Sequence, residues 1–297
     1  MRPGRELVPR PVTSCATCSS SCSASARSPR PADATARIAY HRRVFDLFKR
    51  HRRARLRELP LTADQRATLE TSVPHLARLS EADRSELDGL IQIFLAEKSF
   101  EGCGGLELTD AIKLIVAAQA CLLLLHRDTD IYPGVDAILV YPHAYKATTT
   151  DRDGAVVREG EQARLGESWT RGVVVLAWDH VLSGAARPDD GKNVVLHEFA
   201  HQLDGENASM DGAPALGTRA RYTAWAHVLG HEYTELADTL HAGRRSDIDA
   251  YGATSPAEFF AVVTEMFFEK PRALQRRHPE LYAELAGFYR QDPAAAG

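Results

Sequence analysis

The stretch Val194-Val195-Leu196-His197-Glu198-Phe199-Ala200-His201-Gln202-Leu203-Asp204 constrains this chain more than any other segment. On a helix, residues four apart differ by about 40° and one turn, so His197 and His201 face the same point. That spacing is the bite of a metal site. Glu198 is rotated by about 100° from His197, which puts its carboxylate beside the metal rather than on it. From there it can take a proton from a water that the metal activates. Val194, Val195, Leu196, Phe199, Ala200 and Leu203 supply apolar side chains that bury such a helix, so an exposed charged turn is the poorer account of the same residues.

A catalytic zinc takes three protein ligands and keeps one position open, so a third ligand must come from elsewhere. His227 and His231 are also four apart, but no acidic residue follows His227 and Gly230 weakens the helix; they read as surface histidines. Glu258, in Tyr251-Gly252-Ala253-Thr254-Ser255-Pro256-Ala257-Glu258, is the better candidate, and two other readings stand beside it. Ser255, Pro256 and Glu258 have the pattern of a capping box with proline at the first helical position. Glu258, Glu265 and Glu269 also form a stripe at i, i+7 and i+11 opposite Phe259, Phe260, Val263 and Phe267, the pattern of a solvated face. Asp204 and Glu265 are the local candidates to accept the second ring N–H of the histidines, and each reads equally well as a surface charge.

The rest of the chain frames this helix. With 297 residues and 44% apolar content, it can bury a sizeable core without a disulfide or metal to hold it. No apolar run reaches the roughly 18 residues of a membrane span; the nearest, Ala111 to Leu125, is interrupted by Lys113 and Gln119 and reads as a buried helix. Apolar spacing of three and four predicts helices over Thr62–Glu70, Ser80–Lys98, Thr109–Leu125, Asn193–Leu203, Ala220–Leu240, Pro256–Lys270 and Pro279–Tyr289, with Ser80 and Thr109 as N-caps. Between them the period shortens: Ala137–Tyr141, Ala155–Val157, Gln162–Leu165 and Val173–Trp178 read as strands, the middle two flanking a Gly-containing turn. Helices, a small mixed sheet, then helices again make the fold class α+β.

Charge is unevenly spread. Residues 1–57 carry 14 Lys and Arg against 3 Asp and Glu, a net of +11; since the whole chain carries -4, the remainder carries -15. An acidic body repels nucleic acid, so no nucleic-acid role is expected of it. Residues 1–36, rich in Ser, Pro, Ala and Arg, read as a disordered tail. Met occurs only at positions 1, 210 and 266, and a start assigned too far upstream is an alternative account of that tail. Residues 37–60 read as a basic helical arm, either an amphipathic surface for anionic lipid or a partner, or more simply a solvated helix leading into the domain over 61–297. Cys15, Cys18 and Cys22 lack a fourth ligand for a zinc site, and no apolar leader precedes the body, so a cytoplasmic protein is expected.

The metal-helix motif, followed some fifty residues later by Tyr-x-x-x-x-Pro-Ala-Glu, resembles the Mlc titration factor A family of zinc peptidases, which are themselves similar to the catalytic domain of anthrax lethal factor. The resemblance covers roughly Phe45 to Pro293, including Leu139-Val140-Tyr141-Pro142 and Phe288-Tyr289-Arg290-Gln291-Asp292-Pro293. It implies a zincin-like fold, a single Zn2+ held by His197, His201 and Glu258, and Glu198 as general base. It also implies that Tyr251 lies near the open face of the metal; as a residue, Tyr251 could equally be a core aromatic. The implied activity is aminopeptidase-like hydrolysis of short peptides, and the implied partner is a sugar-responsive transcriptional repressor of the Mlc type. The competing function is a regulatory binding protein that sequesters a transcription factor, with weak or no peptidase activity. Val173–Trp178 is a candidate edge for an extended substrate, and the polar loop Asp204–Thr218 a candidate lid.

Overall fold

Helices enclose a small sheet in the computed structural model, which describes residues 48–127, 130–153, 156–164, 166–169 and 172–295, the stretch 145–169 by its backbone alone. The chain divides into a unit over 1–49, of which 48 and 49 are described and helical, and a second unit over 50–297 that holds every element below. The tail over 1–36, its three cysteines and most of the basic arm lie outside the described residues.

In the second unit, α1 runs over 50–57. Its Arg53 pairs with Glu97 and with Asp130, and Leu56 packs on the core, so these residues belong to the folded body. Next come α2 (Ala63–Ser72), opened by a complete Thr62–Gln65 capping box, and α3 (Glu81–Glu97), capped by Ser80. The strand β1 (Ser99–Gly102) leads to α4 (Asp110–Leu122), capped by Thr109. From Leu114 to Leu122 every residue of α4 is buried, which is what an apolar run on all faces of a helix dictates.

The strands are β2 (Val135–Tyr141), β3 (Tyr145–Asp153), β4 (Val156–Arg164), β5 (Gly166–Trp169) and β6 (Gly172–Ala177). One sheet has the order β1-β2-β6-β5; the first three strands are parallel and β5 is antiparallel to β6, while β3 and β4 form a separate hairpin. Strand β6 is apolar at nearly every position because it lies between β2 and β5 and is covered on both faces. It is therefore no edge for substrate; the strand at that end of the sheet is β5. The turn expected between Ala155–Val157 and Gln162–Leu165 is also corrected, since β4 runs straight through Gly160 and pairs with β3 along its whole length. Trp178 does not end a strand but begins α5 (Trp178–Ala186).

The remaining elements are α6 (Val194–Asp204), α7 (Arg219–His241), α8 (Pro256–Glu269), α9 (Pro271–Arg277) and α10 (Pro279–Tyr289). Helix α6 touches α4, α5, β5 and α8. Its Phe199 sits in an aromatic cluster with Phe94 of α3 and Tyr132, with ring centroids 5.7 and 4.7 Å away. Edge-on packing of this kind fixes the rotation of α6 about its own axis. A second cluster, Trp225 with Phe260 and Phe288, ties α7 to α8 and α10. No helix among the described residues is long and apolar enough to cross a membrane.

Candidate metal centre

Two helices build the site. Asn193 caps α6 by accepting the N–H groups of Val195 and Leu196, and Val195, Leu196, Phe199, Ala200 and Leu203 face the core. This rotation leaves His197 and His201 together on the other side, with ring centroids 4.9 Å apart. Ser255 caps α8 by accepting the Glu258 N–H, with Pro256 at the first helical position. The reciprocal half of the expected capping box does not form. Instead, Glu258 Oε2 lies 3.0 Å from His197 Nε2 and 3.3 Å from His201 Nε2. Two imidazole nitrogens and one carboxylate oxygen thus lie within 4.8 Å of one another. Two histidines and a glutamate form a donor set used by catalytic zinc sites, and the spacing suits an ion bound at about 2.0–2.2 Å from each ligand.

The electrostatics are those of three groups that stabilise one another's charged forms. Burial opposes ionisation of Glu258, yet the two imidazoles outweigh it and hold the carboxyl down to about 2. Burial likewise lowers His197, and its bonds to Glu258 and Glu265 outweigh burial and raise it to about 10. A cation taking Nε2 displaces that proton. Glu198 is buried, and its Oε2 has no hydrogen-bond partner among the described residues. Burial pushes its carboxyl up to about 7, with the two histidines pulling the other way. A buried carboxylate beside three side chains that could hold a metal, poised near neutrality and with an idle oxygen, is equipped to take and return protons.

Tyr251 follows Asp249, which accepts the Tyr251 N–H and starts a short 3-10 turn over Ala250–Ala253. Its side chain is 54% exposed, and its ring centroid is 6.0 Å from that of His197, so it is not a core aromatic. Burial of the hydroxyl, together with Glu258 and Glu198, raises its pKa above the ordinary value.

The acidic stripe on α8 is not a solvated face. Every residue from Phe259 to Glu269 is buried, and two of the glutamates point at the start of α6. Glu265 Oε1 lies 2.7 Å from His197 Nδ1, and its Oε2 accepts the Asn193 N–H. It therefore holds a proton on Nδ1, so that Nε2 is the ring nitrogen able to face a metal. Glu269 accepts the N–H groups of Gly191 and Lys192, both at 2.9 Å, and also meets Asn193 Nδ2 and His75 Nε2. Gln119 of α4 completes the network by accepting from Asn193 Nδ2 at 2.8 Å. Asp204 is fully buried but accepts the Gly212 N–H rather than touching a histidine ring. His227 and His231 are exposed on α7. Of this network the sequence singles out Glu265 as a partner for a histidine ring, while Asp204, the other candidate, lies outside it. Gln119 shows as a break in an apolar run, and Asn193, His75 and the role of Glu269 carry no local sign.

Comparison with known proteins gives the family. A family model described as glucose-regulated metallo-peptidase M90 matches residues 48–290, a span that includes both ligand-bearing helices. The "Uncharacterized protein slr2042" of Synechocystis sp. (strain ATCC 27184 / PCC 6803 / Kazusa) is 44% identical over 244 residues, covering 82% of this chain and 89% of that protein. Proteins named Mlc titration factor A from Yersinia pestis (strain Pestoides F) and Yersinia pseudotuberculosis serotype O:1b are each 32% identical over 228 residues, covering 75% of this chain and 83% of theirs. With a match that runs through helices α6 and α8 and relatives that align over most of both chains, this protein belongs to the glucose-regulated metallo-peptidase M90 family.

Proposed function

We propose that this chain is a zinc-dependent peptidase of zincin-like architecture, with His197, His201 and Glu258 as metal ligands and Glu198 as general base. The observation that carries this reading is the convergence of the three donor atoms within 4.8 Å beside a buried carboxylate pushed up to about 7. A zinc ion at such a site brings the pKa of a water it binds to about 7 and polarises a carbonyl. The protein's own residues do the rest. Glu198 takes a proton as the peptide carbonyl is attacked and returns it to the leaving amine. Tyr251, exposed above His197, donates a hydrogen bond to the oxygen on which charge develops. Glu265 keeps the His197 ring in the ligating tautomer. Strand β5, the end strand of the sheet and a neighbour of α6, offers a backbone edge to an extended peptide.

By kinship the substrates are short peptides cut from the amino end, in the cytoplasm. A second reading is favoured by the name of the Yersinia relatives, a titration factor for Mlc. In that reading the chain acts by sequestering a transcriptional repressor of the Mlc type, with little peptidase activity of its own.

Hydrolysis of a mixed panel of aminoacyl anilides and unbiased peptides by zinc-loaded protein separates the two. Turnover that is lost in Glu198→Gln at equal zinc content supports the peptidase, and the products tell amino-end from internal cleavage. No turnover by the wild-type protein on any substrate would reject that reading and favour the repressor-binding one.

A further inference from the structure

The loop between α6 and α7 passes close to the start of α8 at Gly212. Its N–H donates to Asp204 Oδ2 at 2.9 Å, and its carbonyl accepts from Trp225 Nε1 at 2.8 Å; both bonds are buried. Asp204 is the last residue of α6, three beyond His201. Trp225 belongs to α7 and packs edge-on against Phe260 of α8. The third neighbour leaves no room for a side chain. A Cβ built on Gly212 would stand 2.3 Å from the Pro256 carbonyl oxygen, 2.7 Å from its carbon and 3.3 Å from the Ala257 nitrogen. Pro256 is the first residue of α8, and Glu258 follows two residues later. Gly212 also has φ +77, where side chains are strained.

We propose that Gly212 is a positioning residue for the metal centre: it spaces the end of α6 from the start of α8, and so sets the reach of Glu258 to the two histidines. The inference rests on the zinc reading above and concerns how that site is held. His197 and His201 share one rigid helix, so their mutual geometry needs no outside support. Glu258 is on a different helix, in its first turn. Its distance from the histidines is therefore set by whatever fixes that turn against α6. Glu265 and Glu269 fix the opposite pair of ends, the start of α6 against the later turns of α8. Gly212 does so beside the ligands, with Asp204 drawing the loop toward α6 and the Pro256 peptide pressed against the glycine. A side chain there must push Pro256 and Ala257 away, and the Glu258 backbone with them. The loop at Gly212 is thus a spacer packed into the fold, not a free lid.

The test compares Gly212→Ala with Gly217→Ala in the full-length protein. Gly217 lies in the same loop at φ +81 and has nothing within 4 Å of a built Cβ, so its alanine variant carries the backbone strain without the collision. Zinc affinity is measured by competition with a chromophoric chelator, and coordination is read from the visible absorption of the cobalt(II)-loaded protein. Gly212→Ala is expected to weaken zinc binding tenfold or more and to alter the cobalt bands, while Gly217→Ala stays within about threefold of wild type. Asp204→Ala, which removes the acceptor but not the glycine, should also weaken binding. Asp204→Asn, which can still accept the Gly212 N–H, should recover most of that loss. Gly212→Ala and Gly217→Ala binding alike would overturn the proposal, as would Asp204→Asn failing with Asp204→Ala. If Gly212→Ala does not fold, the two Asp204 variants decide. Wild-type protein that fails to bind zinc would instead reject the zinc site itself.

Discussion

Glu265→Gln is the substitution that most sharply probes how the metal centre is prepared. The carboxylate faces two donors: His197 Nδ1–H at one oxygen and the Asn193 N–H at the other. Glutamine has the same shape but only one oxygen, so its NH2 must face one of those donors. If it faces Asn193, a buried backbone N–H loses its acceptor, at about 1–3 kcal/mol. If it faces His197, the ring escapes the clash by giving up its Nδ1 proton and keeping the one on Nε2, where it blocks the position a metal needs. Either route disfavours the metal-competent arrangement by about 1–3 kcal/mol, or roughly 5–150-fold in affinity. That range overlaps the roughly 10–100-fold seen when a residue hydrogen-bonded to a metal ligand is changed elsewhere. The tautomer route costs the metal-free fold little, so its melting temperature should move by far less than the affinity. Chelator competition gives the affinity, and long-range proton–nitrogen NMR gives the tautomer of His197. Zinc binding within about threefold of wild type, with the His197 tautomer unchanged, would refute this account of Glu265.

Three further outcomes are expected. Glu269→Ala removes the acceptor of the half-buried Gly191 N–H and one of the two acceptors of the Lys192 N–H, the other being Asp190 Oδ1; at about 1–3 kcal/mol in all this should lower the melting temperature by at least ~2 °C in a unit of this size. Tyr251→Phe should lower kcat on the order of a hundredfold while chelator competition shows unchanged zinc affinity, since the hydroxyl acts on substrate and not on the ion. His278 bonds Glu232 at 2.7 Å and Asp247 at 3.3 Å, and Glu232 foremost raises its pKa, against burial. A raised pKa adds stability that is full below the unfolded value of about 6.5 and fades as pH climbs through the folded one. Denaturant titrations should therefore show stability falling across that interval in the wild type, with a smaller fall in His278→Gln.

What the sequence made legible was local. The α6 motif, the caps of α3 and α4, and Pro256 at the start of α8 each depend on a few neighbouring residues, and each appears as expected. Strand β1 escaped notice because four half-exposed residues carry little pattern, and β3 because Tyr145–Asp153 is polar throughout. The parallel pairing of β1, β2 and β6 joins segments far apart in the chain and has no local signature. The glutamate stripe misled for a specific reason. A charged stripe on a helix normally faces water, but α8 is surrounded, and the stripe faces the start of α6, whose free N–H groups do for it what water would. Glu258, undecided between cap and ligand on sequence grounds, has its N–H capped by Ser255 while its carboxylate lies against the imidazoles.

The place of Glu258 on its helix also bears on the reactivity of a bound ion. As the third residue of α8 it lies where the aligned peptide dipoles leave about half a positive charge. That field draws electron density back toward the helix, so the carboxylate gives less to a metal than one in mid-helix would. His201, by contrast, lies in the last turn of α6, at the negative end of its helix. The two helix ends thus act on these side chains in opposite senses: the start of α8 weakens Glu258 as a donor, and the end of α6 strengthens His201. An ion bound there would draw more of its electron density from the imidazoles, and less from the carboxylate, than the ligand set alone implies.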